Sequence, residues 1–344
     1  APSFSGLGRC PLTAVARVRI PLGSQVSPPR FLEAFCFKAK ARLEVMQLED
    51  FRPSRILSLA SGLVDQVTYV PHLPTPGGDV LATRSFSRVG GALNLEATAS
   101  RLGLAVSHCT PLGQGPRADL IRAAMAVEGV EALGIEDYSS GDSGLCITLV
   151  EPNGQRSFVT QSGAEGIRSF DELKQYDYSE DSWLVIYGYE LVYPTSKAAF
   201  EQLFESGLIK SKIVFDPGPT TAHLTDEVLT WVGKNATLIS CNKSEFERLS
   251  GFVSDDCWLL LRKGSEGAEL HHAGKAVAIA PGRRVPVVDT NGAGDVHTGA
   301  FLAALAAGNG LQESLELACR AAEFSIQKEG GCSGPTWDEL LAIR

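Results

Sequence analysis

The segment Val288-Asp289-Thr290-Asn291-Gly292-Ala293-Gly294-Asp295 joins a glycine-rich turn to a carboxylate. It follows a β-branched run, Val285 to Val288, and opens an apolar helical stretch, Thr298 to Ala307. A glycine-rich turn that starts a helix presents free backbone N–H groups at the positive end of the helix dipole, which suits an anion, most often a phosphate. Glycine lets the backbone approach that anion closely. A carboxylate at the end of such a turn repels phosphate. Its placement makes chemical sense if it takes the proton from a hydroxyl that attacks the phosphate. Anion cradle and base in one short segment read as phosphoryl transfer. The competing reading is a glycine-rich helix start with Asp295 as a first-turn partner of the dipole.

Asp289 to Asp295, DTNGAGD, resembles the DTxGAGD signature of the ribokinase-like (PfkB-type) carbohydrate kinases. The resemblance implies that Asp295 is the catalytic base and that Gly292, Ala293 and Gly294 form an anion hole. It also implies that Asn291, Gly292 and Gly294 lie beside the nucleotide. ATP and Mg2+ are the implied cofactors, with K+ as a monovalent cation in the neighbourhood of Asp289.

Further motifs follow the family's order. Arg88-Val89-Gly90-Gly91-Ala92-Leu93-Asn94 resembles its N-terminal signature. Upstream, Gly62-Leu63-Val64-Asp65 and Leu73-Pro74-Thr75-Pro76-Gly77-Gly78 resemble the stretch with a sugar-binding Asp and a lid turn. Vicinal hydroxyls need donors and acceptors at fixed positions, which Asp and Asn supply. By resemblance Asp65 and Asn94 hold substrate hydroxyls beside Gly90 and Gly91. Taken singly, Asp65 is equally a turn residue and Asn94 a helix cap. Phe215-Asp216-Pro217-Gly218-Pro219 resembles the family's D-P strand-end segment and sits where α/β folds place ligands, so Asp216 is expected either on the phosphate side or just behind the residues that touch ligand.

Asn242-Lys243-Ser244-Glu245 matches the family's N-x-x-E motif. Residues three apart share a helical face, and oxygen groups there suit a hydrated hard cation. Asn242 and Glu245 are thus implied in orienting Mg2+ through water, with Asn242 also beside the nucleotide. The same spacing is a capping box. Lys263-Gly264-Ser265-Glu266-Gly267 resembles the G-x-x-G nucleotide loop, which implicates Gly264, Ser265 and Gly267. Arg262 stands where the family usually has Thr. His297 replaces an aromatic two residues after the base and reads as a packing substitution. GGALN lacks the lysine of the GGKGAN found in ribokinases proper, which weakens ribose as the acceptor.

The elements that must position these residues alternate from Arg55 onward. Strands are expected at 56–60, 105–109, 183–187, 213–215, 237–241 and 258–261, with helices between them at 91–102, 117–127, 195–204, 227–232 and 244–249. Short apolar strands alternating with helices argue an α/β domain with a mostly parallel sheet covered on both faces. Residues 65–88 and 143–160 break this pattern as β-ribbons, the second with a Pro152-Asn153-Gly154 turn. The resemblance makes them a small β-lid on a ribokinase-like three-layer α/β/α core spanning residues 51–344, and implies a homodimer formed through the lids.

Composition narrows the function classes. Hydrophobic residues are 44% and charged residues 21% of 344, the profile of a globular chain with a sizeable core. A net charge of −9 gives no overall field for nucleic acid or anionic lipid. No apolar run reaches the ~18–20 residues of a membrane span. None of the eight Cys is spaced C-x-x-C, which reads as buried thiols in a reducing, cytoplasmic setting. His271-His272, beside Gly274, reads as a surface turn. Residues 1–50 form an atypical N-terminal extension, with seven basic and two acidic residues in its first 45. A transit peptide, a regulatory extension and translated sequence upstream of a start at Met46 all remain open, the last being favoured. The absence of G-x-x-x-x-G-K-[ST], H-E-x-x-H and G-x-S-x-G excludes those chemistries.

The chain is thus expected to be an ATP-dependent kinase that phosphorylates a hydroxymethyl group of a small-molecule sugar. A nucleoside kinase (adenosine, inosine or pseudouridine type) on the same fold is the first alternative, and a non-catalytic ligand-binding relative the second. An apolar or aromatic slot beside Asp65 and Asn94 would favour the nucleoside. Arg156 is either a binder of a phosphorylated acceptor or a lid-surface charge.

Overall fold

Short strands that are apolar at nearly every position suit a sheet buried on both faces. In the computed structural model, which describes residues 52–135 and 141–343, nine strands form that sheet. Its order, numbered along the chain, is β13 (Lys275–Pro281), β12 (Gly267–His272), β11 (Trp258–Arg262), β10 (Leu238–Asn242), β9 (Lys212–Asp216), β8 (Ser182–Tyr187), β1 (Arg55–Ser58), β4 (Ala105–His108) and β5 (Glu131–Ala132). From β11 to β5 the strands are parallel; β12 and β13 add an antiparallel edge.

Strand alternation divides the core in two. Trp183, Val185 and Tyr187 of β8 join one cluster, with the helices α1 (Leu93–Arg101), α2 (Pro116–Glu128), α7 (Ala293–Ala306), α8 (Leu311–Ser325) and α9 (Trp337–Ala342). Leu184 and Ile186 join the other, with α3 (Phe170–Leu173), α4 (Pro194–Glu205), α5 (Asp226–Asn235) and α6 (Lys243–Leu249). Period two in a strand sends successive side chains to opposite faces. The result is the expected three-layer α/β/α arrangement with a mostly parallel central sheet. Residues 1–50, read as an extension, lie outside the described residues. Among the described residues no helix is long and apolar enough to cross a membrane.

A second sheet forms the lid, in the order β3 (Arg84–Gly91), β2 (Gly62–Tyr69), β6 (Leu145–Val150), β7 (Arg156–Gln161). Residues 70–83, expected within a ribbon, carry no strand. The β-branched run Val285–Val288 forms no strand: Pro286 has no N–H for a ladder, and the Val288 amide bonds the Ile326 carbonyl (2.8 Å). One expectation is corrected. His271 and His272 lie in β12, where His272 stacks on Trp258. The turn falls at Ala273-Gly274, both at positive φ (49° and 70°), as a tight two-residue hairpin demands.

Candidate active site

The site forms where β8 ends and α7 begins. Asp295 sits in the first turn of α7, half-buried on the wall of a cavity of about 1290 Å3. The turn before it needs glycine at 292. The φ there is +73°, and a Cβ would lie 2.8 Å from Gly331 Cα and 2.9 Å from the Asn94 side chain. That contact brings Asn94, at the start of α1, against the turn. Asn94 Nδ2 donates to Asp295 Oδ2 (3.0 Å), and the Tyr187 hydroxyl donates to Asp295 Oδ1 (2.8 Å). Desolvation pushes the Asp295 carboxyl up to about 6, helped by the charge of Asp216; the Asn94 and Tyr187 bonds and the Arg262 charge pull against it. A carboxylate poised there can accept a proton at neutral pH.

One end of the cavity is built from the lid. Asp65 of β2 accepts a hydrogen bond from Asn291 Nδ2 (3.0 Å). Gly90 of β3 lies behind it, where a Cβ would meet Asp65 Oδ2 at 2.5 Å. Burial raises the Asp65 carboxyl above its usual range, with Arg88 opposing. Asp65, Gly91 and Asn94 line the cavity with Thr290, Asn291 and the Gly292–Gly294 turn.

The other end gathers the remaining motifs. Gly264, Ser265 and Gly267 line the cavity at a tight turn after β11. Asn242 and Glu245 line it too, and they form the capping box: Asn242 Oδ1 accepts the Glu245 amide (2.9 Å) and Glu245 Oε2 accepts the Asn242 amide (2.8 Å). Arg262 Nη1 bonds Asp216 Oδ2 (2.7 Å), and its Nη2 reaches Glu245 Oε2 (3.3 Å). A Cβ on Gly294 would lie 2.9 Å from Arg262 Nη1, so the guanidinium sits against the Gly292–Gly294 turn. Burial and Asp216 raise the Glu245 carboxyl, with Arg262 opposing.

The Mg2+ expectation can be tested on these groups. Among the described residues no three His, Cys, Asp or Glu side chains are grouped to hold a metal ion. Glu245 and Asp216 suit the looser mode, in which one or two carboxylates, phosphates and water share the ion. The monovalent-cation expectation fares differently. Asp289 is buried and does not line the cavity. Its Oδ1 accepts from Arg156 Nη2 (2.6 Å) and the Asn291 amide (2.9 Å), its Oδ2 from Arg88 Nη1 (2.6 Å) and the Gly330 amide (3.2 Å). Burial works against these donors, yet they hold the Asp289 carboxyl below its usual range. A carboxylate so occupied does not fit K+. Arg156 is consequently neither a free surface charge nor a cavity cation.

His297 is buried yet also lines the cavity, its Nε2 3.6 Å from Cys319 Sγ of α8, and burial pulls its imidazole down to about 3. Sequence reasoning missed Tyr187, although it ends a parallel strand, where α/β ligands gather. It also missed an apolar wall at the lid end of the cavity: Leu63, Cys146, Phe158, Tyr189, Val192 and Tyr193, joined by the buried carboxyl of Glu165. The cationic side chains that line the cavity are Arg262, Arg283 and Arg284. The last two adjoin the Gly264–Gly267 turn, because Gly282 packs on Ser265 and Gly267.

Known proteins share this fold. The profile of the pfkB family carbohydrate kinases matches residues 55–338. The uncharacterized sugar kinase YegV of Escherichia coli is 32% identical over 317 residues, covering 88% of this chain and 97% of its own. The Haemophilus influenzae ribokinase is 27% identical over 305 residues, covering 82% and 96%. Among solved structures, ribokinase from Cryptococcus neoformans in complex with ADP superposes with a TM-score of 0.70 at 22% identity, over 84% of this chain and 99% of that one. Adenosine kinase from Sinorhizobium meliloti gives 0.71 at 16%, over 85% and 99%. Over nearly the whole described length, then, the chain belongs to the pfkB family of carbohydrate kinases and is an ATP-dependent kinase.

Proposed function

We propose that the protein transfers the γ-phosphoryl group of ATP to a hydroxymethyl group of a small sugar-type acceptor, with Asp295 as general base. One observation carries this reading: a carboxylate poised near neutral pH, held by Asn94 and Tyr187, stands beside a glycine turn at a helix start in a cavity larger than one ligand needs. Acceptor hydroxyls bond Asp65 and Asn94. The attacking hydroxyl gives its proton to Asp295. The Gly292–Gly294 amides and the Arg262 guanidinium face the transferring group, where fixed positive dipoles and charge act most strongly. Mg2+, when bound beside Glu245, supplies further neutralisation of phosphate charge.

The acceptor wall favours a second reading, a nucleoside. Phe158 is 54% exposed, yet it lines the cavity, as a stacking surface would. Tyr189, Tyr193 and Leu63 give an apolar slot beside Asp65. The cavity's cationic side chains belong to the nucleotide end, which speaks against an acceptor that is already phosphorylated. The lid face turned away from the cavity presents Ile147 and Val159 as register partners, 37% and 62% exposed, which supports the lid-mediated homodimer. Six free cysteines among the described residues support a reducing, cytoplasmic setting.

The test is ADP release from Mg-ATP with ribose, fructose, 2-keto-3-deoxygluconate, fructose 1-phosphate, tagatose 6-phosphate, adenosine, inosine and pseudouridine, for wild type and Asp295→Asn. The variant is expected to bind ATP and lose turnover by about 10²–10⁴-fold. Wild-type turnover in the variant removes Asp295 from its role. ATP binding without any turnover supports the non-catalytic alternative.

A further inference from the structure

Asp289 ties together segments far apart in sequence. Through its Oδ1 it holds the Asn291 amide, and so the turn that leads into Gly292 (2.9 Å). Both of its cationic partners come from the lid. Arg156 opens β7 and Arg88 lies on β3, the two edge strands of the four-stranded sheet. Arg156 also donates through Nη1 to Thr290 Oγ1 (2.9 Å), so one guanidinium grips two successive residues of the anion-hole segment. Arg84 of β3 adds an outer tie to Glu329 (2.6 and 2.8 Å).

A carboxylate offers about four lone-pair sites, and here four donors take them. Two guanidinium charges at contact distance also repel any approaching cation. We propose that Arg156, seated from the lid beside Arg88, does the work of a monovalent cation at Asp289, so that the anion-hole turn is held by the lid's position and not by K+ or Na+. Lifting β7 removes a charge from Asp289 and a donor from Thr290 together, which loosens the turn. Arg156 is on this view a positioning residue, and its effect on catalysis rests on the phosphotransfer reading above.

The experiment compares wild type, Arg156→Ala and Arg156→Lys in KCl, NaCl and choline chloride at equal ionic strength. It reads thermal unfolding, hydrogen exchange of amides 289–294, and turnover. The wild type should melt and turn over alike in all three salts. Arg156→Ala should exchange faster at those amides and lose kcat on the order of tenfold or more, since small misplacements of a catalytic constellation cost that much. KCl should restore part of both losses where choline does not, and Arg156→Lys should sit between Ala and wild type. Severalfold activation or clear stabilisation of the wild type by K+ overturns the proposal. So does Arg156→Ala with wild-type exchange at 289–294, or a loss with no preference among the salts. Exchange and melting need no acceptor, so a protein that turns nothing over sinks the phosphotransfer reading while these readouts still decide the latch.

Discussion

Tyr187 donates its phenolic hydrogen to Asp295 Oδ1 across 2.8 Å, joining the last residue of β8 to the first turn of α7. Strand alternation makes the bond: Trp183, Val185 and Tyr187 share the face against which α7 packs. Asn94 holds the other carboxylate oxygen from α1. Both bonds favour the charged carboxylate, while desolvation and Asp216 oppose it.

Removing one donor must therefore move the base upward. In Tyr187→Phe the acid limb of the kcat/KM profile should shift to higher pH, and the rate on the alkaline plateau should fall far less than it does in Asp295→Asn. A pH profile for both proteins checks this. An acid limb that stays in place would mean that Tyr187 only fills space.

The wild-type limb is itself a prediction. With Asp295 as the proposed general base the carboxylate is the working form, so turnover should fall with unit slope as pH drops below about 6. Stability carries the opposite sign. With its folded pKa raised, the Asp295 carboxyl adds stability that is fully present below its unfolded value near 3.8 and is lost as pH rises through about 6. Asp295→Asn lacks this loss. Its melting temperature relative to wild type should climb between pH 4 and pH 7 and then level off. A constant difference across that range would place the perturbed group elsewhere.

Arg262 bridges Asp216 and Glu245 with only 14% of its side chain exposed. Arg262→Met leaves two carboxylates facing each other without a cation. Breaking a buried pair from one side costs about 3–5 kcal/mol, and partial exposure here reduces that to roughly 2–3 kcal/mol. Calorimetry should show a lower melting temperature, and titration a weaker affinity for Mg-ATP. Arg262→Lys should recover charge but not the two-armed geometry. Undiminished nucleotide affinity in Arg262→Met would remove Arg262 from the phosphate side.

Much of this was legible beforehand because it is local. The DTNGAGD turn and the alternation of short apolar strands with helices follow from spacing along the chain, while Asp65, Asn94, Asn242 and Glu245, which line one cavity, were legible only through the family resemblance. What stayed hidden depends on contacts between distant residues. The Asp289 partners Arg88 and Arg156 lie far upstream on the lid. His271 and His272 read as a surface turn, but they lie in β12, where His272 stacks on Trp258. Asn242 and Glu245 serve the helix cap and the cavity wall at once, a combination that spacing alone leaves undecided.

Phe158 offers the sharpest division between acceptor classes. It lies on β7, two residues after the Arg156 anchor, so both side chains leave the lid on the same face. Its ring lines the cavity while remaining more than half exposed, and the neighbouring Thr160 and Cys146 are small. A free sugar, bonded through its hydroxyls to Asp65 and Asn94, has no flat apolar group to set against that ring. A nucleobase does, and base–aromatic stacking contributes about 1–3 kcal/mol. Phe158→Ala should therefore raise KM for a nucleoside by roughly 5–100-fold, with kcat nearly unchanged because the chemistry at Asp295 is untouched. For a simple sugar the same change should leave both constants near wild type. Steady-state kinetics of the variant on the best acceptor thus reads out the occupant of the slot. A KM for a nucleoside that ignores the loss of the ring would show that the base sits away from Phe158.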